Sequence, residues 1–312
     1  MAKVAVIGAG NVGATLAHVL AQKDVASSVT LVDIVEGLPQ GKSLDMRQAG
    51  PLQDYDCKVS GSNDMAEGVA GADVVVMTAG LARKPGMDRM DLLKKNTDIV
   101  AGAMRAVRDR APKAVVVMVT NPLDVMTWVA LTVTGFPRER VTGMAGVLDS
   151  ARYRTFIAME LGVSVVDVSA MVLGGHGDTM VPLPRYSTVN GIPITELLEP
   201  AVIDRLSDRT RKGGAEIVNL LKTGSAYYAP ATSAAQMVEA VLKDRGHLLP
   251  ACVSLEGEYG EKGICLGVPV ILGAGGVRRI VELNLTDAER ATLKKSADSV
   301  RQGIEEVRGM LG

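Results

Sequence analysis

Aromatic residues are nearly missing from this chain: of 312 residues, one is Trp, six are Tyr and two are Phe. Platforms that stack the bases of single-stranded nucleic acid are built from such rings, so that class of function has little to stand on. The core must instead be made of Ala, Val, Leu, Ile and Met. Cysteine is as sparse. Cys57, Cys252 and Cys265 have no CxxC spacing and no neighbouring histidine cluster, which fits a reducing compartment and leaves neither a disulfide framework nor a zinc site. Neither sign of charge dominates, since 34 Lys and Arg stand against 35 Asp and Glu for a formal net charge of -1. Without a long-range positive field, nucleic acid and acidic membrane surfaces are poor partners. No apolar run approaches the ~18 residues needed to span a bilayer. The apolar start Val4-Ala5-Val6-Ile7 does not continue as a signal peptide, because Gly8, Gly10, Asn11, Gly13 and His18 interrupt it. The expectation is a soluble, cytoplasmic, globular protein with no bound metal, 47% hydrophobic and 22% charged.

What the chain does have is an alternation. Val4 to Ile7, Val29 to Val32, Val74 to Met77 and Val115 to Val119 are near-continuous apolar runs, as suits strands buried on both faces of a parallel sheet. Between the first two, Leu16, Val19 and Leu20 recur at helical spacing within Ala14 to Lys23. Strand, helix and strand within about 30 residues make a βαβ unit, and its repetition gives a doubly wound open sheet that binds ligands at the carboxyl ends of its strands. After about residue 150 the texture changes. Val168 to Leu173 reads as a strand, Val268 to Leu272 and Arg279 to Leu283 read as hairpin-like runs, and Ala201 to Leu221 and Ser233 to Lys243 are helical. Thr286 with Glu289 marks a capping-box start for a last helix, whose stripe of Leu293, Ala297, Val300, Ile304, Val307 and Leu311 is core packing. The expected organisation is an α/β domain over 1–148 followed by an α+β domain over 149–312, with no flexible linker between them.

Gly8-Ala9-Gly10-Asn11-Val12-Gly13 has the form GxGxxG. Alone that string is weak, but here a strand precedes it, a helix follows, and Asp33 closes the next strand about 20 residues beyond Gly13. Gly8 permits the tight turn, Gly10 lets a pyrophosphate approach the backbone, and Gly13 lets helix and sheet pack closely, while free N–H groups and the helix dipole favour the anion. The Asp33 carboxylate suits two ribose hydroxyls and would repel a 2′-phosphate, and no Arg or Lys follows within Ile34 to Leu38. NAD is therefore expected rather than NADP, and the first domain is read as dinucleotide-binding. Asn11, Val12, Asn96, Val119 and Asn121 complete the candidate cofactor contacts.

There are three histidines. His18 lies in a helical pattern and reads as structural; His247 follows Arg245-Gly246 and reads as a solvated loop residue. His176 sits in Gly174-Gly175-His176-Gly177-Asp178, a glycine-flanked turn at a strand end with room for a substrate. Asp149 and Arg152, three apart, share one helical face. An Asp can hold a histidine in one tautomer, and an Arg offers a planar two-point grip on a carboxylate. Gly80 to Arg89, punctuated by Pro85-Gly86, is a loop able to close like a lid and carries Arg83 and Arg89. Thr120-Asn121-Pro122 ends a strand at the same edge, where Asn121 is either a hydrogen-bonding group for substrate or a plain turn former.

Taken in order over nearly the whole chain, these motifs resemble the lactate/malate dehydrogenase family. Stretches such as Val32-Asp33-Ile34-Val35-Glu36-Gly37 and Thr223-Gly224-Ser225-Ala226-Tyr227-Tyr228 are similar to its lactate-dehydrogenase-like bacterial branch. The resemblance implies a Rossmann-type first domain, a substrate/catalytic second domain, and NAD-dependent, reversible oxidation of (S)-malate to oxaloacetate, a step of the tricarboxylic acid cycle. It implies that His176 is the acid/base, that Asp149 orients it, that Arg152 binds the carboxylate beside the reacting carbon, that Arg89 polarises the carbonyl and that Asn121 adds a hydrogen bond. Arg83 would choose the substrate. Lactate dehydrogenases typically carry an uncharged Gln at the matching place, and a cation here would find a partner only on a dicarboxylate. The roles of Ser225 and Ala226, where lactate dehydrogenases place a Thr, are left open. A homo-oligomer is implied too, a tetramer in preference to a dimer. A short-chain oxidoreductase would need Tyr-x-x-x-Lys, which none of the tyrosines provides. A noncatalytic NAD-binding module would not require His176, Asp149, Arg152 and Arg89 together.

Overall fold

The computed structural model describes residues 2–81 and 89–311. The alternation of the first half becomes β1 (Lys3–Ile7), α1 (Asn11–Gln22), β2 (Ser28–Val32), α2 (Leu38–Gln53), β3 (Lys58–Ser62), α3 (Met65–Val69), β4 (Val74–Met77), α4 (Arg89–Arg110), β5 (Val115–Met118), α5 (Leu123–Thr134), β6 (Val141–Gly143) and α6 (Gly146–Leu161). The six strands are parallel in the order β3-β2-β1-β4-β5-β6. β4 and β5 are buried at every position, because helices cover both faces of the sheet. The strand order reverses between β1 and β4, so their carboxyl ends flank a crevice.

The glycine-rich turn sits in that crevice. Gly8 has φ +102°, a conformation side chains rarely adopt, and a Cβ on Gly13 would lie 1.8 Å from the Gly8 carbonyl oxygen. Helix α1 can pack down onto β1 only because both residues lack a side chain.

The second half begins with short pieces. β7 (Val168–Ser169), β8 (Val172–Leu173), β9 (Val181–Pro182), β10 (Thr188–Val189) and β11 (Ile192–Pro193) are followed by α7 (Ile194–Leu197), α8 (Pro200–Leu221) and α9 (Tyr228–Leu242). Then come β12 (His247–Glu256), β13 (Lys262–Gly273), β14 (Gly276–Ile280) and α10 (Asp287–Arg308). Val168 to Leu173 is thus not one strand: β7 pairs with β10, whereas β8 pairs with β9, so the chain changes sheets between them. The run Arg279 to Leu283 belongs to β14 only as far as Ile280. His247 is not in a loop but opens β12, exposed at the strand's end. His18 lies in α1, edge-on to Tyr55.

β12, β13 and β14 are antiparallel and add to the first sheet through β6, giving nine strands in the order β14-β13-β12-β6-β5-β4-β1-β2-β3. One apolar core runs through both halves, joining Val4, Val76 and Val117 to Leu266, Val270 and Ile304. A smaller core beneath α6 and α8 gathers Tyr153, Ile157, Val172, Ile203 and Leu206. α10 starts with the expected capping box, in which Thr286 Oγ1 accepts the Glu289 N–H at 3.2 Å and a Glu289 carboxylate oxygen accepts the Thr286 N–H at 2.8 Å. Leu311 lies past the helix end yet still packs on the core. The one tryptophan, Trp128 on α5, is half-buried, with the guanidinium of Arg308 from α10 5.8 Å from its ring centre.

Candidate active site

A cleft of about 540 Å³ runs along the carboxyl edge of the sheet, from Gly10, Asn11, Val12 and Gly13 past Val119 and Asn121 to Arg152 and His176. It joins most of the residues singled out above. α1 begins at this cleft with no side chain capping its first turn, so its free N–H groups face an anion's position. Asp33 stands at the end of β2. Its Oδ2 accepts the Ala9 N–H at 2.7 Å and its Oδ1 the Val35 N–H at 3.0 Å. Each oxygen keeps a lone pair, which suits a ribose diol. The backbone cradle, the uncapped helix and this carboxylate together fit a dinucleotide whose adenosine ribose has no 2′-phosphate.

One cation here escaped the sequence. Lys42, on α2, donates from Nζ to the Ala9 carbonyl oxygen at 2.7 Å, so Ala9 is held by Asp33 on one side and Lys42 on the other. A search confined to Ile34 to Leu38 stops short of it, because α2 must fold back before the contact exists.

Asn96 is placed differently from the rest of the cofactor set. It is buried, its Oδ1 accepts the Leu81 N–H at 2.8 Å, and its Nδ2 donates to the carbonyls of Leu81 and Asn121 at 3.2 and 2.8 Å. The amide is thereby committed to backbone, fixing the ends of two strand-following segments beneath the cleft.

At the other end of the cleft, α6 presents Asp149 and Arg152. His176 Nδ1 is 2.9 Å from Asp149 Oδ2, and Arg152 Nη1 donates to Asp149 Oδ1 at 3.3 Å. The Asp149 side chain is 3% exposed, so the carboxylate is shared by two partners away from water. Burial acts to lower the basicity of His176, but the Asp149 carboxylate, its hydrogen bond and Asp124 outweigh burial and Arg152, and the imidazole is raised above its ordinary pKa. Burial draws the Arg152 guanidinium down, against Asp149. Among the described residues Arg152 Nε is buried without an acceptor, a donor in want of an anion. With Nδ1 turned to Asp149, Nε2 is the ring nitrogen that can exchange a proton with a bound molecule.

Ser225 and Ala226 line the cleft as well, together with Arg211, a second cation absent from the sequence reading, whose Nε and Nη1 are held by the Met180 carbonyl and Asp208. Arg83 lies outside the described residues. Arg89 opens α4, its side chain outside the description. Among the described residues no helix is long and apolar enough to cross a membrane, and no group of three or more His, Cys, Asp or Glu side chains could hold a metal ion.

Residues 2–143 match the family model described as the lactate/malate dehydrogenase NAD binding domain, and residues 146–310 match that of the lactate/malate dehydrogenase alpha/beta C-terminal domain. The chain belongs to the lactate/malate dehydrogenase family. It is an NAD-dependent oxidoreductase with a Rossmann-type first half. A malate dehydrogenase from Roseiflexus sp. (strain RS-1) is 55% identical over 308 residues, 99% of each chain. One from Methanosarcina mazei is 53% identical over 307 residues, 98% of this chain and 99% of its own. Among solved structures, malate dehydrogenase from Salinibacter ruber is similar with a TM-score of 0.94 and 50% identity, covering 99% of this chain and 98% of that one. The lactate dehydrogenase of Cryptosporidium parvum, complexed with lactic acid and nicotinamide adenine dinucleotide, reaches a TM-score of 0.93 at 42% identity, covering 97% of each chain. Backbone shape within this lactate/malate dehydrogenase family therefore does not select the acid, and the side chains at the cleft must.

Proposed function

We propose that this enzyme is a malate dehydrogenase, catalysing the reversible oxidation of (S)-malate to oxaloacetate with NAD. The observation that carries the reading is the His176, Asp149 and Arg152 cluster at one end of a cleft whose other end is the dinucleotide turn. NAD, when bound, accepts the hydride from the carbon that carries the hydroxyl. His176 Nε2 takes the hydroxyl proton as that carbon becomes a carbonyl, and in reduction it returns the proton to the same oxygen. Asp149 fixes the tautomer and stabilises the imidazolium that results. Arg152 grips the carboxylate beside the reacting carbon, with Nε as the donor still to be matched. Arg89 polarises the carbonyl, Asn121 adds a hydrogen bond, and Asn96 acts through Asn121 and Leu81 by fixing their backbone. Arg83 meets the distal carboxylate that malate and oxaloacetate carry and pyruvate lacks.

In this reading residues 1–148 bind the dinucleotide and residues 149–312 supply the substrate pocket. The enzyme works in the cytoplasm, in the tricarboxylic acid cycle, as a homo-oligomer, a tetramer in preference to a dimer, with neither nucleic acid nor membrane as partner. The first experiment follows NADH absorbance with oxaloacetate, then with pyruvate, then with NADPH in place of NADH. Fast turnover confined to NADH with oxaloacetate supports both selectors, Asp33 and Arg83. A preference for pyruvate overturns the substrate assignment and leaves the histidine chemistry standing. NADH binding without turnover of either acid overturns the enzyme reading.

A further inference from the structure

Beneath the histidine turn lies a carboxylate for which the reaction above has no use. Asp124, in the first turn of α5, is buried, and its Oδ2 accepts the His176 peptide N–H at 2.8 Å across 52 positions of sequence. Among the described residues its Oδ1 is buried with no hydrogen-bond partner. The two preceding N–H groups are held as well, that of Gly175 by Ser296 Oγ of α10 and that of Gly174 by the Gly267 carbonyl of β13, both at 2.8 Å. Three elements thus fix three consecutive peptides. Ser296 shows that a neutral oxygen suffices to hold such an N–H, whereas a buried carboxylate carries a heavy desolvation cost. An ionised Asp124 adds charge that a neutral acceptor lacks. Burial, with the Asp149 carboxylate beside it, leaves its carboxyl above the usual range, against the pull of the His176 peptide and imidazole and the Cys252 thiol.

We propose that Asp124 is a positioning residue for the acid/base, holding the His176 peptide and giving its imidazolium a second counter-charge beside Asp149. The inference rests on the reading of His176 as acid/base. Among the described residues, the charged groups that bear on the ring are Asp149 and Arg152 of α6 and Asp124 of α5; the two carboxylates favour its protonated form and Arg152 opposes it. Asp178, on the same turn, and Arg211 of α8 share the cleft, and the Cys252 thiol of β12 acts on the Asp124 carboxyl. The arrangement keeps His176 charged to higher pH than Asp149 alone would, which serves reduction, where the ring must arrive carrying its proton.

The test compares Asp124→Asn, Asp124→Ser, Ser296→Ala and His176→Asn with the wild type, each checked by thermal melt and NADH binding. Asn and Ser both offer a neutral oxygen to the His176 N–H and remove the charge. In either folded Asp124 variant, the alkaline limb of the pH profile for oxaloacetate reduction moves down by roughly half a unit or more, because loss of a nearby anion disfavours the imidazolium. The acidic limb of malate oxidation moves the same way. Ser296→Ala lowers kcat and leaves both limbs in place. Limbs unmoved in the Asp124 variants, or moved as far by Ser296→Ala, overturn the proposal. His176→Asn separates the two ideas: if it retains turnover, the acid/base reading falls and this inference with it, whereas an inactive His176→Asn beside unshifted Asp124 variants sinks this inference alone.

Discussion

In the proposed reaction a single proton decides the chemistry, and its carrier is a ring with one nitrogen committed to Asp149. Replacing that ring by an amide, His176→Asn, is expected to lower kcat by about 10²- to 10⁴-fold with NADH binding intact, measured by stopped-flow turnover and fluorescence titration. Turnover near wild type would show that the proton travels elsewhere. The raised basicity of His176 sets the direction of the pH dependence: oxaloacetate reduction holds as long as the ring stays protonated and fades as pH rises through its pKa, while malate oxidation fades as pH falls. Asp149→Asn removes the main source of that elevation and is expected to pull both limbs to lower pH. The proposal also assigns substrate choice to one side chain. Arg83→Gln should weaken oxaloacetate use and raise pyruvate use, read as the ratio of kcat/KM for the two acids, and an unaltered ratio would acquit Arg83 as selector. At the dinucleotide end, Asp33→Ser leaves Lys42 as the nearby charge, so the penalty against NADPH should shrink. If NADPH gains nothing, the carboxylate was not what excluded it.

Secondary structure was legible where one element buries a uniform face. β1, β2, β4 and β5 are written as apolar runs because helices cover both sides of them, and α10 announces itself through Thr286 and Glu289. β3 was not legible, since an edge strand reading Lys-Val-Ser-Gly-Ser shows almost no apolar pattern. Nor was β12, where a histidine start and Pro250 suggest a loop until β13 supplies its partner. α2 contains two glycines and a proline after its first turn, and local propensity argues against a helix there. The site divides in the same way. His176, Asp149 and Arg152 can be found because their residue types are rare or closely spaced; Lys42, Asp124 and Ser296 act on peptides 33, 52 and 121 positions away, a reach that only the folded chain defines. Two changes test the elements themselves. Thr286→Ala removes the oxygen that caps α10 and should cost about 1 kcal/mol, seen as a lower melting temperature with kcat retained. Gly13→Ala sets a methyl against the Gly8 carbonyl and should abolish NADH binding or folding, and an alanine variant that binds NADH normally would refute the close packing of α1 on β1.

The whole molecule is organised by one sheet. The hairpin strands of the second half join the parallel strands of the first through β6 and β12, and a single apolar core spans the junction. Two domains separated by a polar linker would melt separately. Here unfolding either half exposes apolar surface of the other, so calorimetry should record one endotherm, and two resolved transitions would contradict the shared core. Such coupling also explains how α5 can serve both ends of the cleft, with Asn121 just before it at the dinucleotide edge and Asp124 in its first turn under His176. The same helix bears Trp128, the only indole in the chain, set against Arg308 of α10. Intrinsic emission excited at the indole band therefore has a single source, about one turn along α5 from the histidine turn's support. Any fluorescence change, whether from packing of α10 or from energy transfer to a reduced nicotinamide, can be read as a signal from that one place, without the averaging that a protein richer in aromatic rings imposes.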